Sequence, residues 1–193
     1  MVDLETTGLN LAHDRVVSVG AYRMVEGHIR LGEVFNELVN PGRDIPPSSI
    51  KIHGIVPDLV AEARSAWEVF KDFLPFLGVD VLVAHHARFD LHFINKVMRR
   101  SFGFPLQNLV LDTVLACRAI AFPPDPYPYG IDLDHRQYSL YNVAKYFGIE
   151  IHQRHTALGD ALATAMIFQR ILVRLEEMGR DSLRNLIKVA GVL

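Results

Sequence analysis

The spacing of hydrophobic and polar positions changes along this chain, and the changes mark out its elements. Residues 1–6 read as a short strand, cut off by the Thr6-Thr7-Gly8 turn. Val16-Val17-Ser18-Val19-Gly20-Ala21-Tyr22 is a second strand, and residues 29–39, with Val34, Leu38 and Val39 among polar neighbours, are a third. Asn40-Pro41-Gly42 stops it, and Ile45-Pro46-Pro47-Ser48-Ser49 opens a loop with a short helix behind it. Trp67, Phe70, Phe73, Leu74 and Leu77 recur at helical spacing, which predicts an amphipathic helix over 66–77. Residues 79–84 form an apolar run of strand length, 89–100 read as helix, and Leu109-Val110-Leu111 as a short strand leading into a helix at 113–121. The Pro-rich segment 122–130, with Tyr127 and Tyr129, reads as a surface excursion; its tyrosines offer stacking faces to a single strand, with a plain loop as the simpler reading. Helices follow over 139–147, 156–178 and 181–190, with Gly179 as a break. Three early strands followed by alternating helices and strands predict one α/β domain over 1–193, a mixed sheet covered by helices on both faces.

Length and composition narrow this picture without changing it. A chain of 193 residues buries roughly 70% of the surface it would expose unfolded, so a staple is not required. The single cysteine, Cys117, forms no internal disulfide and suits a reducing, cytoplasmic compartment. Met1-Val2-Asp3-Leu4-Glu5 lacks the basic and apolar regions of a signal peptide, and no apolar run approaches the ~18 residues of a membrane span. The expectation is a soluble protein with no membrane partner. A net charge of −2 argues against a protein that coats nucleic acid through a broad basic surface. It leaves open an enzyme acting on one strand end, where bound metal supplies local positive charge.

The chemistry lies in the acids. Asp3 and Glu5 are two apart on a predicted strand, so their side chains share a face. Solvent-facing acids would be unremarked there, but these sit in an otherwise apolar strand, and a divalent cation offsets the repulsion between neighbouring carboxylates. Asp90 falls after a buried-looking strand, in the first turn of the next helix or just before it, where a plain macrodipole partner is the alternative. Asp160 sits one turn into an Ala-rich helix that Thr156 can cap. Small residues at 157, 159, 161 and 163 let that helix lie close to a strand, so Asp160 can meet Asp3 and Glu5. Asp112 precedes Thr113 and reads as a helix cap, and Asp14 as a turn residue.

Together the segments Asp-Leu-Glu-Thr-Thr-Gly, Ala-His-His-Ala-Arg-Phe-Asp and His-Thr-Ala-Leu-Gly-Asp, in that order, resemble the three motifs of the DEDD exonuclease superfamily in its DEDDh branch. That branch includes the proofreading epsilon subunit of bacterial DNA polymerase III and ribonuclease T. Phe35 to Pro41, Ile52-His53-Gly54-Ile55, Ser139-Leu140 and Phe147-Gly148-Ile149 extend the resemblance over nearly the whole chain. It implies a ribonuclease-H-like fold with a five-stranded mixed sheet between helices.

The resemblance also implies a 3′→5′ exonuclease that releases nucleoside monophosphates from single-stranded DNA or RNA 3′ ends. Asp3, Glu5, Asp90 and Asp160 would hold two divalent cations, Mg²⁺ or Mn²⁺. The chemistry would be two-metal in-line displacement, with ions about 3.5–4 Å apart and carboxylates as suitably hard ligands. His155, five residues before Asp160, would be the general base, a task that suits a histidine's ordinary pKa of about 6.5. The sister branch carries a tyrosine four residues before the last acid, where this chain has Thr156. Thr7, Gly8, Leu9 and His53 would contact the terminal nucleotide; a loop histidine capping its own helix is the alternative for His53. A polymerase or other replication or repair partner is implied. Two departures stand out. His86 occupies a position where the family commonly has asparagine, and only Met1 and Val2 precede Asp3 where members carry several apolar residues. A start further upstream or a shortened first strand would explain the second. A non-catalytic nucleic-acid- or protein-binding module on the same fold remains the alternative reading.

Overall fold

The computed structural model describes residues 1–120, 138–180 and 182–192. The Pro-rich segment 122–130, and with it Tyr127 and Tyr129, lies outside the described residues. Strand β1 (Val2–Thr6) buries Val2, Leu4 and Thr6 and turns Asp3 and Glu5 to the opposite face, the period-two alternation of a strand. β2 (Val16–Val25) pairs antiparallel with β1 along one edge and with β3 (His28–Leu38) along the other. The β2–β3 hairpin closes through Glu26 and Gly27, both at positive φ (50° and 75°), which matches the twist of the flanking strands. Two short helices, α1 (Pro47–His53) and α2 (Pro57–Ala61), fill the connection to α3 (Ala66–Leu77). A reciprocal Ser65–Glu68 cap opens α3, and its range is the one its apolar spacing predicts.

The expected strand at 79–84 is shorter. Val79 is fully exposed in the turn after α3, and β4 comprises only Leu82–Ala84. It leads into α4 (Ala87–Phe102), then β5 (Val110–Asp112), α5 (Thr113–Ala119), α6 (Leu140–Tyr146), α7 (Ala157–Glu177), α8 (Leu183–Ala190) and β6 (Gly191–Val192). β5 runs parallel to β4 and antiparallel to β6.

Among the described residues the strands form two three-stranded sheets, β1-β2-β3 and β4-β5-β6, in place of the expected single five-stranded sheet. β1 and β4 lie side by side without a ladder between them. The register gives one reason. Met1 and Tyr22 exchange hydrogen bonds, so Asp3 and Glu5 bond to β2 while the Val2 and Leu4 amides point away from it. The Leu4 N–H is directed at the Asp90 carboxyl instead of a β4 carbonyl.

Helices cover both faces, as expected. On one side α3 and α4 pack Phe70, Phe73, Phe93, Ile94 and Met98 against Val2 and Leu4. On the other, Ile167, Ile171 and Leu175 of α7 join Leu111, Cys117 and Leu186. Helix α8 buries Leu186 and Ala190 against α5 and β5, so it packs on this domain. No described helix is long and apolar enough to cross a membrane. At the head of β1 the Met1 ammonium donates to the Tyr22 carbonyl at 2.7 Å, and burial lowers its pKa to about 6. An apolar cavity of about 320 Å³ lies beside it, between Tyr22, Met24, Phe76, Leu82 and Leu172.

Candidate active site

Three elements bring the acids together. β1 presents Asp3 and Glu5 on one face, and α4 begins at Ala87 so that Asp90 lies in its first turn. Helix α7 presents Asp160, and the reason it comes so near is Gly20. Gly20 pairs with Asp3 across the β1–β2 ladder, and a Cβ there would collide with the backbone of Ala157 and Leu158. The glycine therefore admits the first turn of α7 onto the strands carrying the other acids. Thr156 caps that turn, its hydroxyl accepting from the Gly159 N–H at 3.1 Å.

One carboxylate oxygen from each of Asp3, Glu5 and Asp160 lies within 4.8 Å of the others. Asp90, His155, Leu9, His86 and Phe89 line the same cleft. Asp90 is nearly fully buried, whereas Asp3, Glu5 and Asp160 are partly exposed. The electrostatics follow from this crowding. Burial and then repulsion from Asp90, Asp160 and Glu5 hold Asp3 well above the carboxylate range. Burial and Asp160 raise Glu5 to about 7. Burial takes Asp90 to about 8 against the opposing backbone amides of Asp90 and Leu4. Asp160 is raised by burial, with His155 and Arg154 acting in the other direction. A cluster of hard oxygen donors that strain to keep their protons is the donor set a divalent cation relieves, so the residues fit such an ion.

His155 is exposed, with a positive φ of 58°. Its backbone N–H donates to an Asp160 carboxylate oxygen at 3.2 Å, which ties the loop to the acid while leaving the imidazole at the cleft. His86 likewise takes a positive φ, 56°, at the N-terminus of α4.

The expected nucleotide contacts divide. Leu9 lines the cleft and is largely exposed, 80%. Thr7 is fully buried and every polar group it has is used inside the protein. Its N–H donates to the Arg15 carbonyl, its hydroxyl donates to Asp14 and accepts from the Arg15 N–H, and its carbonyl accepts from Ser49. Gly8 presses against Asp14, whose carboxylate would stand 2.5 Å from a Cβ. Thr7 and Gly8 thus shape the turn that carries Leu9. His53 ends α1 buried, its Nδ1 accepting from the Ile55 N–H at 3.0 Å in the loop beyond, while the helix itself is capped by the Gly54 N–H on the Ile50 carbonyl. Its Nε2 is buried and makes no hydrogen bond of good geometry among the described residues; burial lowers its pKa against the opposing pull of the nearby Thr6 backbone.

Asp112 is the cap expected of it, accepting from the Val114 N–H at 2.8 Å; it also accepts from the Ala87 N–H at 3.1 Å and so fixes the start of α4. Asp14 is the turn residue expected of it and more, and Lys96 and His85 are two supporting groups that the motifs do not announce. Asp14 is buried and is the hub of the Thr7–Arg15 loop. The Lys96 ammonium gathers the Leu11, Ala12 and Asp14 carbonyls at 2.8, 2.7 and 2.9 Å. His85, buried between the Thr113 hydroxyl and the Tyr138 carbonyl, is lowered to about 3 by burial and by His86. Its signal was the doubled histidine after an apolar strand.

Helices on both faces of the sheets and a cleft of four acids and a histidine are the features of a nuclease domain. The family model for exonucleases, RNase_T, matches residues 1–168, and the chain belongs to that family. The DEDD resemblance carried by its motifs therefore holds. A DNA polymerase III subunit epsilon-like protein of Rhodobacter capsulatus is 42% identical over 180 residues, 92% of this chain and 24% of that protein. DNA polymerase III subunit epsilon of Treponema pallidum is 34% identical over 88% of this chain and 74% of its own length. The chain spans a quarter or less of the first relatives it matches. Among solved structures, exonuclease X in complex with 5′ overhanging duplex DNA has a TM-score of 0.68 at 24% identity, covering 97% of this chain and 96% of that one. An Escherichia coli exonuclease I complex with a dT13 oligonucleotide has a TM-score of 0.73 at 21% identity, covering 92% and 41%. These two likenesses concern the fold.

Proposed function

We propose that this chain is a metal-dependent 3′→5′ exonuclease that removes nucleoside monophosphates from the 3′ end of a nucleic-acid strand. The observation that carries the reading is the meeting of Asp3, Glu5 and Asp160 oxygens within 4.8 Å, in one cleft with Asp90 and His155. Asp3, Glu5 and Asp160 would hold one divalent cation, Mg²⁺ or Mn²⁺, and Asp90 in the same cleft would support a second. Such ions activate water and neutralise the charge that develops on the leaving 3′ oxygen. The exposed His155 imidazole takes the proton from the attacking water. Leu9 packs against the terminal nucleotide, with Thr7 and Gly8 fixing its turn. The names of the relatives, DNA polymerase III subunits, favour DNA as the strand and a polymerase as partner.

The test uses 5′-labelled single-stranded DNA and RNA with Mg²⁺, Mn²⁺ or chelator, beside Asp160→Ala. A ladder shrinking from the 3′ end is expected, lost with chelator and in the variant. Undiminished activity in Asp160→Ala, or internal cuts in circular single-stranded DNA, would refute the assignment.

A further inference from the structure

A second groove opens beside the acid cleft, and its chemistry is opposite. It has a volume of about 810 Å³ and runs along α4, with Arg88, His92, Lys96, Arg99 and Arg100 on its wall and Leu11 and Ala12 at its rim. Arg88, His92, Lys96 and Arg100 follow one another at four-residue spacing, so they line one side of the helix over about 18 Å. The two clefts share a wall. Leu9 of the Thr7–Arg15 loop faces the acids while Leu11 and Ala12 of the same loop face the groove. Phe89 and Asp90 face the acid cleft from the turn of α4 that holds Arg88 in the groove.

The positive charge here is largely uncompensated. Arg15, Arg43 and Arg100 all lie close enough to Lys96 for their charges to act on it; among the described residues Asp14 answers them there, paired with Arg43 at 3.5 Å. Asp14 already accepts from the Thr7 hydroxyl and the Asn10 N–H. Lys96 is engaged with three loop carbonyls, and His92 reaches the Leu11 carbonyl at 3.1 Å. These two hold the shared wall in place. Arg88, Arg99 and Arg100 are exposed, and none is paired with a carboxylate among the described residues. On a chain of net charge −2, cations concentrated beside four acids call for an anionic occupant. A row of phosphates supplies it and releases its counterions on binding.

We propose that this groove carries the phosphodiester backbone of the substrate strand, 5′-ward of the terminal nucleotide, toward the carboxylate cluster. The proposal rests on the exonuclease reading above. The row of side chains is long enough to follow several successive phosphates of one strand. Arg88, Arg99 and Arg100 meet phosphates, and Lys96 with His92 keeps the loop between groove and cleft from closing either. Contacts of this kind act on affinity for long strands and leave the reacting bond alone.

The test is the triple variant Arg88→Ala, Arg99→Ala and Arg100→Ala in the whole chain, with the three lysine substitutions as charge-retaining controls. Two substrates are compared, the p-nitrophenyl ester of thymidine monophosphate and a single strand of about 20 nucleotides, at about 50 and 200 mM salt. For the long strand KM should rise on the order of tenfold, and the slope of log KM against log salt should fall by about 2, from three contacts at ~0.7 each. The ester should be hydrolysed as by the parent chain, and the lysine variant should keep most of the affinity. An unchanged KM and salt slope for the long strand overturns the proposal. So does an equal loss on both substrates, because that places the damage in the acid cleft. If the parent chain hydrolyses neither substrate, the exonuclease reading fails. Direct binding of the long strand then decides the groove by the same tenfold change and the same salt slope.

Discussion

Adding divalent metal to the metal-free chain at pH 7 should release at least about one proton. Glu5, raised to about 7, is half protonated at that pH, and Asp90, raised to about 8, is mostly so. Asp3, held well above the carboxylate range, adds to the pool. A cation needs these groups ionised, so binding expels the protons. Affinity should therefore rise at least about tenfold per pH unit between about 6 and 7. Calorimetric titration with Mn²⁺ in two buffers of different ionisation enthalpy counts the protons. Binding without proton release, or with affinity flat from pH 5.5 to about 8, would refute the claim that repulsion in the cluster is offset by metal.

The same shifts set the stability of the metal-free fold. A carboxyl whose pKa is higher folded than unfolded stabilises fully below its unfolded value, and that contribution is lost as pH rises through the folded value. For Glu5, moving from 4.5 to about 7, the loss is roughly 3 kcal/mol at about 1.4 kcal/mol per pH unit. The Met1 ammonium, lowered to about 6, and His85, lowered to about 3, have the opposite sign, since they stabilise less as pH falls. Comparing urea unfolding of the parent chain with Glu5→Gln removes both. The parent should lose stability relative to the variant between pH 5 and about 8, and equal slopes would count against the Glu5 shift.

Four further outcomes follow from the geometry. His155→Ala should lower kcat on the order of 10²-fold with Mn²⁺ binding retained; loss of metal binding would make His155 a ligand. Gly20→Ala should destabilise by about 1–3 kcal/mol or more and weaken metal binding, because α7 must retreat from β1; a variant with native unfolding midpoint and affinity would contradict the close approach. Lys96→Met removes the donor shared by three carbonyls and should cost roughly 1–3 kcal/mol, with faster protease cleavage at residues 11–14; unchanged cleavage would show that the loop does not depend on it. Asp112→Ala should cost about 1–2 kcal/mol as the α5 cap and the tie to Ala87 are lost, which an unfolding midpoint measures.

The acids were legible because their chemistry is written in short-range order. Alternation on β1 fixes Asp3 and Glu5 on one face, and the small residues around Asp160 announce a close approach. What the sequence hid were choices made by the tertiary fold. Thr7 looks like a polar turn residue open to ligand, yet Asp14, seven residues on, draws its hydroxyl inward. Lys96 reads as an ordinary cation on an amphipathic helix until the Leu11–Asp14 carbonyls arrive from more than 80 residues away. Val79 and Val81 extend the apolar run on paper, but Gly78 turns at positive φ, Val79 is fully exposed and Asp80 between them pairs with Arg23. The division of the sheet was equally hidden, since it depends on where one amide of β1 points.

That amide connects the fold to the site. Leu4 offers an N–H on the edge of β1 beside β4, where a continuous sheet would use it, and Asp90 receives it. The hydrogen bond favours the charged form of Asp90 against burial and against its acidic neighbours, so it works in the same direction as a metal ion. Asp112 fixes the start of α4 by holding the Ala87 N–H, while Gly20 sets how near α7 may come. The acids sit on β1, α4 and α7, and their mutual repulsion opposes the docking of those elements. Packing of Phe93 and Ile94 on one side and Ile167 and Ile171 on the other supplies the opposing force. Loosening either apolar layer should therefore weaken metal affinity before it unfolds the chain, since the charged cluster is the first contact the protein gains by releasing.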